Sequence, residues 1–579
     1  MARRRRLLSA GLLLTALAAC SGDIAPPPTV PPPPTIAAAP AADGFAYPTP
    51  LPTPPDIETP LPTPDADTST PLPTINAAPA GAEFGSPTAT PPFPERQITA
   101  ATVDQIRLLR TVGFGRARVA ALSPDKQRLA VATSAGLAFF TYPGFGHIRF
   151  DRFVGGVETV AWGAEGVTVD ATVSALGIPG EIQTIDANTG QVLKRDVITR
   201  TDPQYPVTVT SPDGSTQAVF KVPDASPTPG VRISRGGQDI YADEQTTNLA
   251  FSTDGALAVM VTYDGLVRVR DLAAGVDNEL NLPGFWGAAF SADGQRLLAS
   301  ERQLTVWDVV SGAQLSSAPI DAAKEPWVVG AVQRIRHRPD GSALLIDGEY
   351  IFFEGSQRVG DLWSAGPQPQ LQSTVKIASF GIANYETYAG AISPDGTGAA
   401  TTDGAALEFY DAPGNIAATV DVPERIAALE YAPDGGLLAV ATLPGPIKLL
   451  GADHQPAGGY ASDQPIEAMR FSSDGGMLAG LGRDGALRIW RRGAEQPALI
   501  ISGVAEAVGA SGDPALSLVF TADGGMVGVA NGAGLRFYSL SDGALLHSQA
   551  EPALSVDVGP RQRAIAVLRD GYVELWGLE

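Results

Sequence analysis

From about Ile98 onward, a short alternating apolar segment leads again and again into Ser-x-Asp-Gly or a variant of it. A second apolar segment follows, then a second glycine-containing turn, then a third segment. The clearest copy runs Ala288-Ala289-Phe290-Ser291-Ala292-Asp293-Gly294, then Arg296 to Ser300, then Leu304-Thr305-Val306-Trp307-Asp308. Others centre on Asp125, Asp213, Asp254, Asp340, Asp395, Asp434, Asp474 and Asp523, with degenerate copies at Glu165-Gly166 and Arg561-Gln562. These eleven copies span 437 residues from Asp125 to Gln562 in ten steps, a mean period near 44. Asp-Gly between alternating apolar runs is a strong hairpin signal, because glycine takes a positive φ without steric cost. Several units carry a second such turn, as at Asp264-Gly265, Asp403-Gly404, Asp484-Gly485 and Asp570-Gly571. No stretch sustains a 3.6-residue period, so little helix is expected.

A period of about 40–45 residues built from four short strands is that of propeller blades. The expectation is an all-β array of about eleven four-stranded repeats. Third strands end in an aromatic followed by a turn: Trp307-Asp308, Tyr410-Asp411, Trp490-Arg491 and Trp576-Gly577. At these residues the array resembles WD40-type β-propellers over about 480 residues, and is similar to divergent bacterial WD40-like, TolB-like repeat lipoproteins. It departs from the family in having one Trp-Asp strand end, at Trp307-Asp308. Its one Gly-His, Gly146-His147, is out of place, so the buried tetrad built on that histidine is not expected.

Ring closure divides the array. It stops just after a third strand, Val573 to Trp576, and opens with an extra strand-like segment, Ile106 to Arg110, as a ring does when its first strand completes its last blade. A similar extra segment runs from Leu371 to Phe380. Two tandem propellers are therefore expected, over 99–366 and 367–579. One large ring is the alternative, although rings typically have four to eight blades.

The start of the chain reads as an address. Arg3 to Arg6 form a basic region and Leu7 to Ala19 an apolar one of thirteen residues, short for a membrane span. Leu17-Ala18-Ala19-Cys20 looks like a bacterial lipobox, with residues 1–19 as signal peptide and Cys20, the sole cysteine, as the lipidated residue. Residues 20–98 are expected to form a Pro/Thr-rich disordered tether. It holds 23 prolines between Ser21 and Ala100, repeats Leu-Pro-Thr at Leu51, Leu61 and Leu72, and has no Lys or Arg before Arg96. Extended as polyproline II at about 3.1 Å per residue, it would reach on the order of 200 Å.

Chemistry is sparse. A net charge of −22 argues against a nucleic-acid partner, which needs a basic face. There is no Gly-x-Ser-x-Gly, no His-Glu-x-x-His and no phosphate-binding Gly-Lys-Ser/Thr. His147, His337, His454 and His547 are scattered among different units. No metal or cofactor is expected, and turn aspartates are explained by bonds to their own backbone. Trp307, Trp490 and Trp576 are expected in the core, and Trp162 takes the place of Phe290 in its unit. Trp286, Trp327, Trp363, Tyr385 and Tyr388 fall in connecting segments. The WD40 resemblance implies that such connections line the ligand face, which makes Trp286, Trp327, Tyr385 and Tyr388 the candidate binding face. The alternative is that these aromatics plug gaps between blades. The expected function is a membrane-anchored, extracytoplasmic scaffold for an envelope protein or glycan. The alternative is a propeller hydrolase or lyase acting on envelope polymers or glycans.

Overall fold

The computed structural model describes residues 96–578, apart from 174–179, 198–207, 221–229, 320–328, 331–333, 338–342, 353–354, 365–367, 382–389, 396–397, 403–405, 412–414, 506–516 and single or paired positions at 244, 263–264, 283, 286, 292, 301–302 and 444. Among the described residues the one helical turn is a 3-10 turn, Val103–Gln105.

The Ser-x-Asp-Gly turns are local machines for reversing the chain. In seven of them a Ser or Thr hydroxyl donates to the Asp two residues on, at 2.5–2.7 Å, from Ser123, Ser211, Ser252, Ser291, Ser393, Ser472 and Thr521. The same oxygen accepts the N–H five residues on, at 2.9–3.0 Å. Each such bond contributes about 1 kcal/mol and satisfies an amide the reversal would strand. The glycines sit at φ of 65–72°, as at Gly294 and Gly475. Lys126 (φ 56°), in glycine's place after Asp125, and Gln562 (φ 53°), in the degenerate last copy, hold the same left-handed conformation.

The described residues form eleven antiparallel sheets, one per repeat. In chain order they cover residues 117–152, 157–197, 208–243, 246–281, 287–319, 329–381, 390–421, 425–460, 466–501, 517–549 and 555–577. Ten have four strands. In sheet 6 two short strands, Val329–Gly330 and Arg334–His337, share the innermost position. Where neighbouring sheets press on each side the second strands are buried on both faces, and Leu257–Thr262 and Met526–Asn531 have no exposed residue, whereas Asp170 and Val219 in the second strands of sheets 2 and 3 are exposed. Fourth strands form the rim and are wet, as in Val192–Val197, where Val197 is 72% exposed.

Sheet 11 gains its fourth strand from the other end of the array. Arg107–Val112 pairs with Val573–Gly577, in register from Arg107↔Gly577 to Val112↔Val573. The expected closing strand is thus the one observed. The expected boundary is not. Leu371–Gly381 is no opening strand: it pairs with Gly355–Ser364 as the fourth strand of sheet 6, so a division at 366/367 would cut one sheet.

Sheet packing shows where the array divides instead. Sheet 1 packs on sheet 2 and also on sheet 4, which in turn packs on sheet 3. Sheets 5 to 11 pack in succession, and sheet 11 returns to sheet 5. Sheets 5 to 11 therefore close a seven-bladed ring, and sheets 1 to 4 form a four-bladed group nested in its sequence rather than tandem to it. The four-bladed ring, 117–281, is inserted between the closing strand and the first full blade of the seven-bladed ring. Its first and last sheets meet without a shared strand, by packing of Ala120, Leu122 and Val131 of sheet 1 against Val259, Val261 and Val267 of sheet 4.

Candidate functional site at the joint between the rings

The chain passes between the rings after Val112 and again after Asn281. Both crossings leave a rim strand and enter an innermost one. Together with the turns between second and third strands, such connections form one loop face of each ring. Val112 and Phe285 are buried in the seven-bladed core, Phe114 and Leu282 in the four-bladed core. Gly113, at φ 85°, passes so close to Phe285 that a Cβ would lie 2.6 Å from the ring, so only glycine fits. The Phe285 amide donates to the Gly571 carbonyl at 3.1 Å. Across the joint the Ser134 hydroxyl donates to the Asp570 carbonyl, and Arg116 pairs with the Asp570 carboxylate at 3.4 Å.

At the centre is a cluster of charge. Glu574 is fully buried and Arg569 is 2% exposed. Arg569 donates to Glu574 Oε2 through Nε at 3.0 Å and Nη2 at 2.9 Å, and the Trp576 indole donates to the same oxygen at 3.1 Å. From the four-bladed ring Arg152, at the end of the rim strand His147–Arg152, reaches across. It bonds Glu574 Oε1, and also Glu551 Oε2 at 3.0 Å. Glu551 further accepts the Tyr572 hydroxyl at 2.9 Å. Burial alone would lower the pKa of Arg152, but Glu574 and Glu551 carry it above its ordinary value. Burial, and then the same two carboxylates, push the Tyr572 phenol well above its usual range. Both carboxylates are thus engaged by guanidinium or phenol donors. The cluster is arranged to hold charge in place, not to move protons, and each partner left unpaired would be costly.

The repeats make Glu574 conspicuous. It pairs with the fourth residue of its second strand, Val567. At that same position sheets 8, 9 and 10 carry Lys448, Arg488 and Arg536. Each of these cations finds an acceptor in the loop that enters its own sheet: Glu424, Asp463 (3.0 Å) and the Val504 carbonyl (2.8 Å). Sheet 11 inverts the sign, and its acid takes an arginine from the other ring. Sheet 7 also carries an acid at this position, Glu408, which accepts the Tyr410 hydroxyl at 2.6 Å within its own blade, so Glu574 is set apart by its partner from the other ring and no sequence signal singles it out.

The expected binding-face residues Trp286, Trp327, Tyr385 and Tyr388 lie outside the described residues, as do Cys20 and the lipobox residues Leu17, Ala18 and Ala19. Phe285 and Gly287, which flank Trp286, are buried. Trp363 is not in a connection: it lies in the third strand of sheet 6, 2% exposed. Trp307 and Trp490 are core residues as expected, and Trp576 packs partly buried against its blade. Trp162 donates its indole N–H to the Ala121 carbonyl at 2.9 Å and meets Phe139 edge-on. His454 stacks on Phe409 of the preceding blade at 3.7 Å. His147 packs against Phe114 and Phe140, and burial lowers its pKa. Among the described residues no three His, Cys, Asp or Glu side chains converge to hold a metal.

On the rim, a groove of about 760 Å³ runs between Pro446–Lys448, Ala457–Ala461 and Arg492–Glu495. Its cations are engaged, Lys448 with Glu424 and Arg492 with Asp434 at 2.9 Å. The WD40 family (WD domain, G-beta repeat) matches residues 458–491, from the rim strand of sheet 8 through the third strand of sheet 9. No curated protein matches the chain. The eleven sheets and this repeat make the molecule a WD40-like β-propeller array.

Proposed function

We propose that this chain is a lipid-anchored, extracytoplasmic scaffold of the bacterial envelope that binds a protein and catalyses no reaction. The observation that carries the reading is the WD40-like array itself, a fold whose domains generally mediate protein–protein interaction. Rigid rings presenting wide loop faces suit that task. The anchoring part of the proposal rests on the basic residues Arg3 to Arg6, the short apolar run and Cys20. The chain would be diacylated at Cys20, and its Pro/Thr-rich tether would hold the rings clear of the membrane. An acyl chain contributes about 0.8 kcal/mol per buried CH₂, so two or three chains hold a protein stably. TolB-like propeller lipoproteins are the likeness that brings the envelope into the proposal, and a glycan in place of a protein partner is an outcome the experiment distinguishes.

The test uses the full chain with a C-terminal tag in its native host. Cys20→Ser should move it from the membrane fraction to the soluble fraction and abolish labelling with a fatty-acid analogue. Retention of both would refute the anchor. Capture from detergent-solubilised envelope, beside a Trp286→Ala, Trp327→Ala double variant, should recover a protein that binds the purified chain directly and is lost from the variant. Equal capture by both would reject the aromatic face. A captured glycan would replace the protein partner, and turnover of that glycan would overturn the scaffold.

A further inference from the structure

We infer that the Arg152–Glu574 cluster is a latch that makes two separately cored rings behave as one body. The inference concerns how the rings are held and stands whether or not the scaffold reading does. Its starting point is the distribution of apolar packing. Each buried apolar cluster among the described residues belongs to one ring alone: Phe114 and Leu282 join sheets 1 and 4, while Val112 and Phe285 join sheets 5 and 11. No such cluster spans both. Two short crossings would by themselves let the rings swing, because inter-domain motion is the default where no large apolar interface forbids it.

What spans the joint is polar, and at Glu574 it is desolvated. Arg152 crosses to Glu574 and Glu551, Ser134 bonds the Asp570 carbonyl, and Arg116 pairs with the Asp570 side chain. Glu574 has no exposure and Arg152 has 23% at its side chain, so their attraction escapes most of the screening that weakens surface pairs. The choice of partner in sheet 11 points the same way. Lys448, Arg488 and Arg536 close their charges within their own blades, whereas Glu574 holds its Oε1 for a donor from the inserted ring. Arg569 and the Trp576 indole engage the other oxygen, so the blade fills one side of the carboxylate and the inserted ring the other.

The test compares the full native chain with Arg152→Ala and with the charge reversal Arg152→Glu, by amide hydrogen exchange and small-angle X-ray scattering. For both variants, amides at 113–116 and 284–285 should exchange at least tenfold faster. The second strands Arg128–Thr133, Leu257–Thr262 and Ala564–Leu568 should keep native protection. The scattering should show a larger radius of gyration and a broader distance distribution. Arg152→Glu, which places a third acid against Glu574 and Glu551, should open the joint at least as far as Arg152→Ala. Crossing amides within twofold of native in both variants, with unchanged scattering, would overturn the latch. Loss of protection in the second strands along with the crossings would also overturn it, because Arg152 would then be holding the blades themselves.

Discussion

If the four-bladed ring is an insertion, it can be removed without unfolding its host. The perturbation is a chain in which Gly113 is joined to Phe285 through four Gly/Ser residues and 114–284 are deleted. The ends are close enough: a Cβ on Gly113 would touch the Phe285 ring at 2.6 Å, which places the two Cα atoms within roughly 9 Å, inside the reach of four residues. The cost can be worked from the cut surface. Val112 and Phe285 stay in the seven-bladed core, and the closing strand keeps its ladder with Val573–Gly577. Glu574 loses Arg152 but keeps two bonds from Arg569 and one from Trp576, and Glu551 keeps Tyr572. One charged hydrogen-bond donor lost from a carboxylate that remains otherwise paired costs about 2 kcal/mol. For a ring of about 300 residues, at about 2.1 cal/mol/K of unfolding entropy per residue, that lowers Tm by about 3 °C. Circular dichroism should show an unchanged β spectrum per residue and one cooperative melt, and sedimentation should show a monomer. A chain with no cooperative transition would refute the nesting, because it would mean that the seven sheets depend on the four for closure.

Two further outcomes follow from the turns. Ser472→Ala removes the oxygen that accepts the Met477 amide and donates to Asp474, and should cost about 1–3 kcal/mol by urea denaturation, with an unaltered m-value; a change under 0.3 kcal/mol would show that water replaces the hydroxyl. The turn aspartates also set the acid limit. Hydrogen bonds from Ser211 and Ser215 hold the Asp213 carboxyl down at about 2, and Lys126 and then Ser252 do the same for Asp254, against about 3.9 when unfolded. Depressed carboxyls stabilise the fold above the unfolded value and lose that contribution as pH falls toward 2. Tm should therefore be level from pH 7 to about 4.5 and fall between pH 4 and 2, and a flat Tm down to pH 2 would contradict this.

Much of the fold was legible because its instructions are local. Ser, Asp and Gly within four residues fix each reversal, and even Lys126 and Gln562 adopt the conformation that glycine holds elsewhere. The closing strand was legible too, since a three-stranded last repeat needs a fourth strand. The division was not. Leu371–Gly381 reads as an extra apolar segment whether it opens a new ring or finishes an old sheet, and only its pairing with Gly355–Ser364 decides. Trp363 was misplaced for the same reason, since strand boundaries in sheet 6 depart from the common spacing. The joint was invisible because Arg152 and Glu574 lie 422 residues apart, and no local pattern at Arg152 foretells a partner so remote.

The nested arrangement also sets a timetable for synthesis. The strand Arg107–Val112 is made early, yet Val573 emerges 461 residues after Val112, its partner in the ladder. At about 5–20 residues per second, that edge waits roughly 20–90 s without its mate. The four-bladed ring needs no residue beyond Leu282 and has its full set of strands long before then. The nascent chain thus carries a finished inner module while its outer module is still an open arc, exposing an unpaired edge of the kind that invites association with other chains. Whatever chaperones this protein has its greatest task at the strand made first.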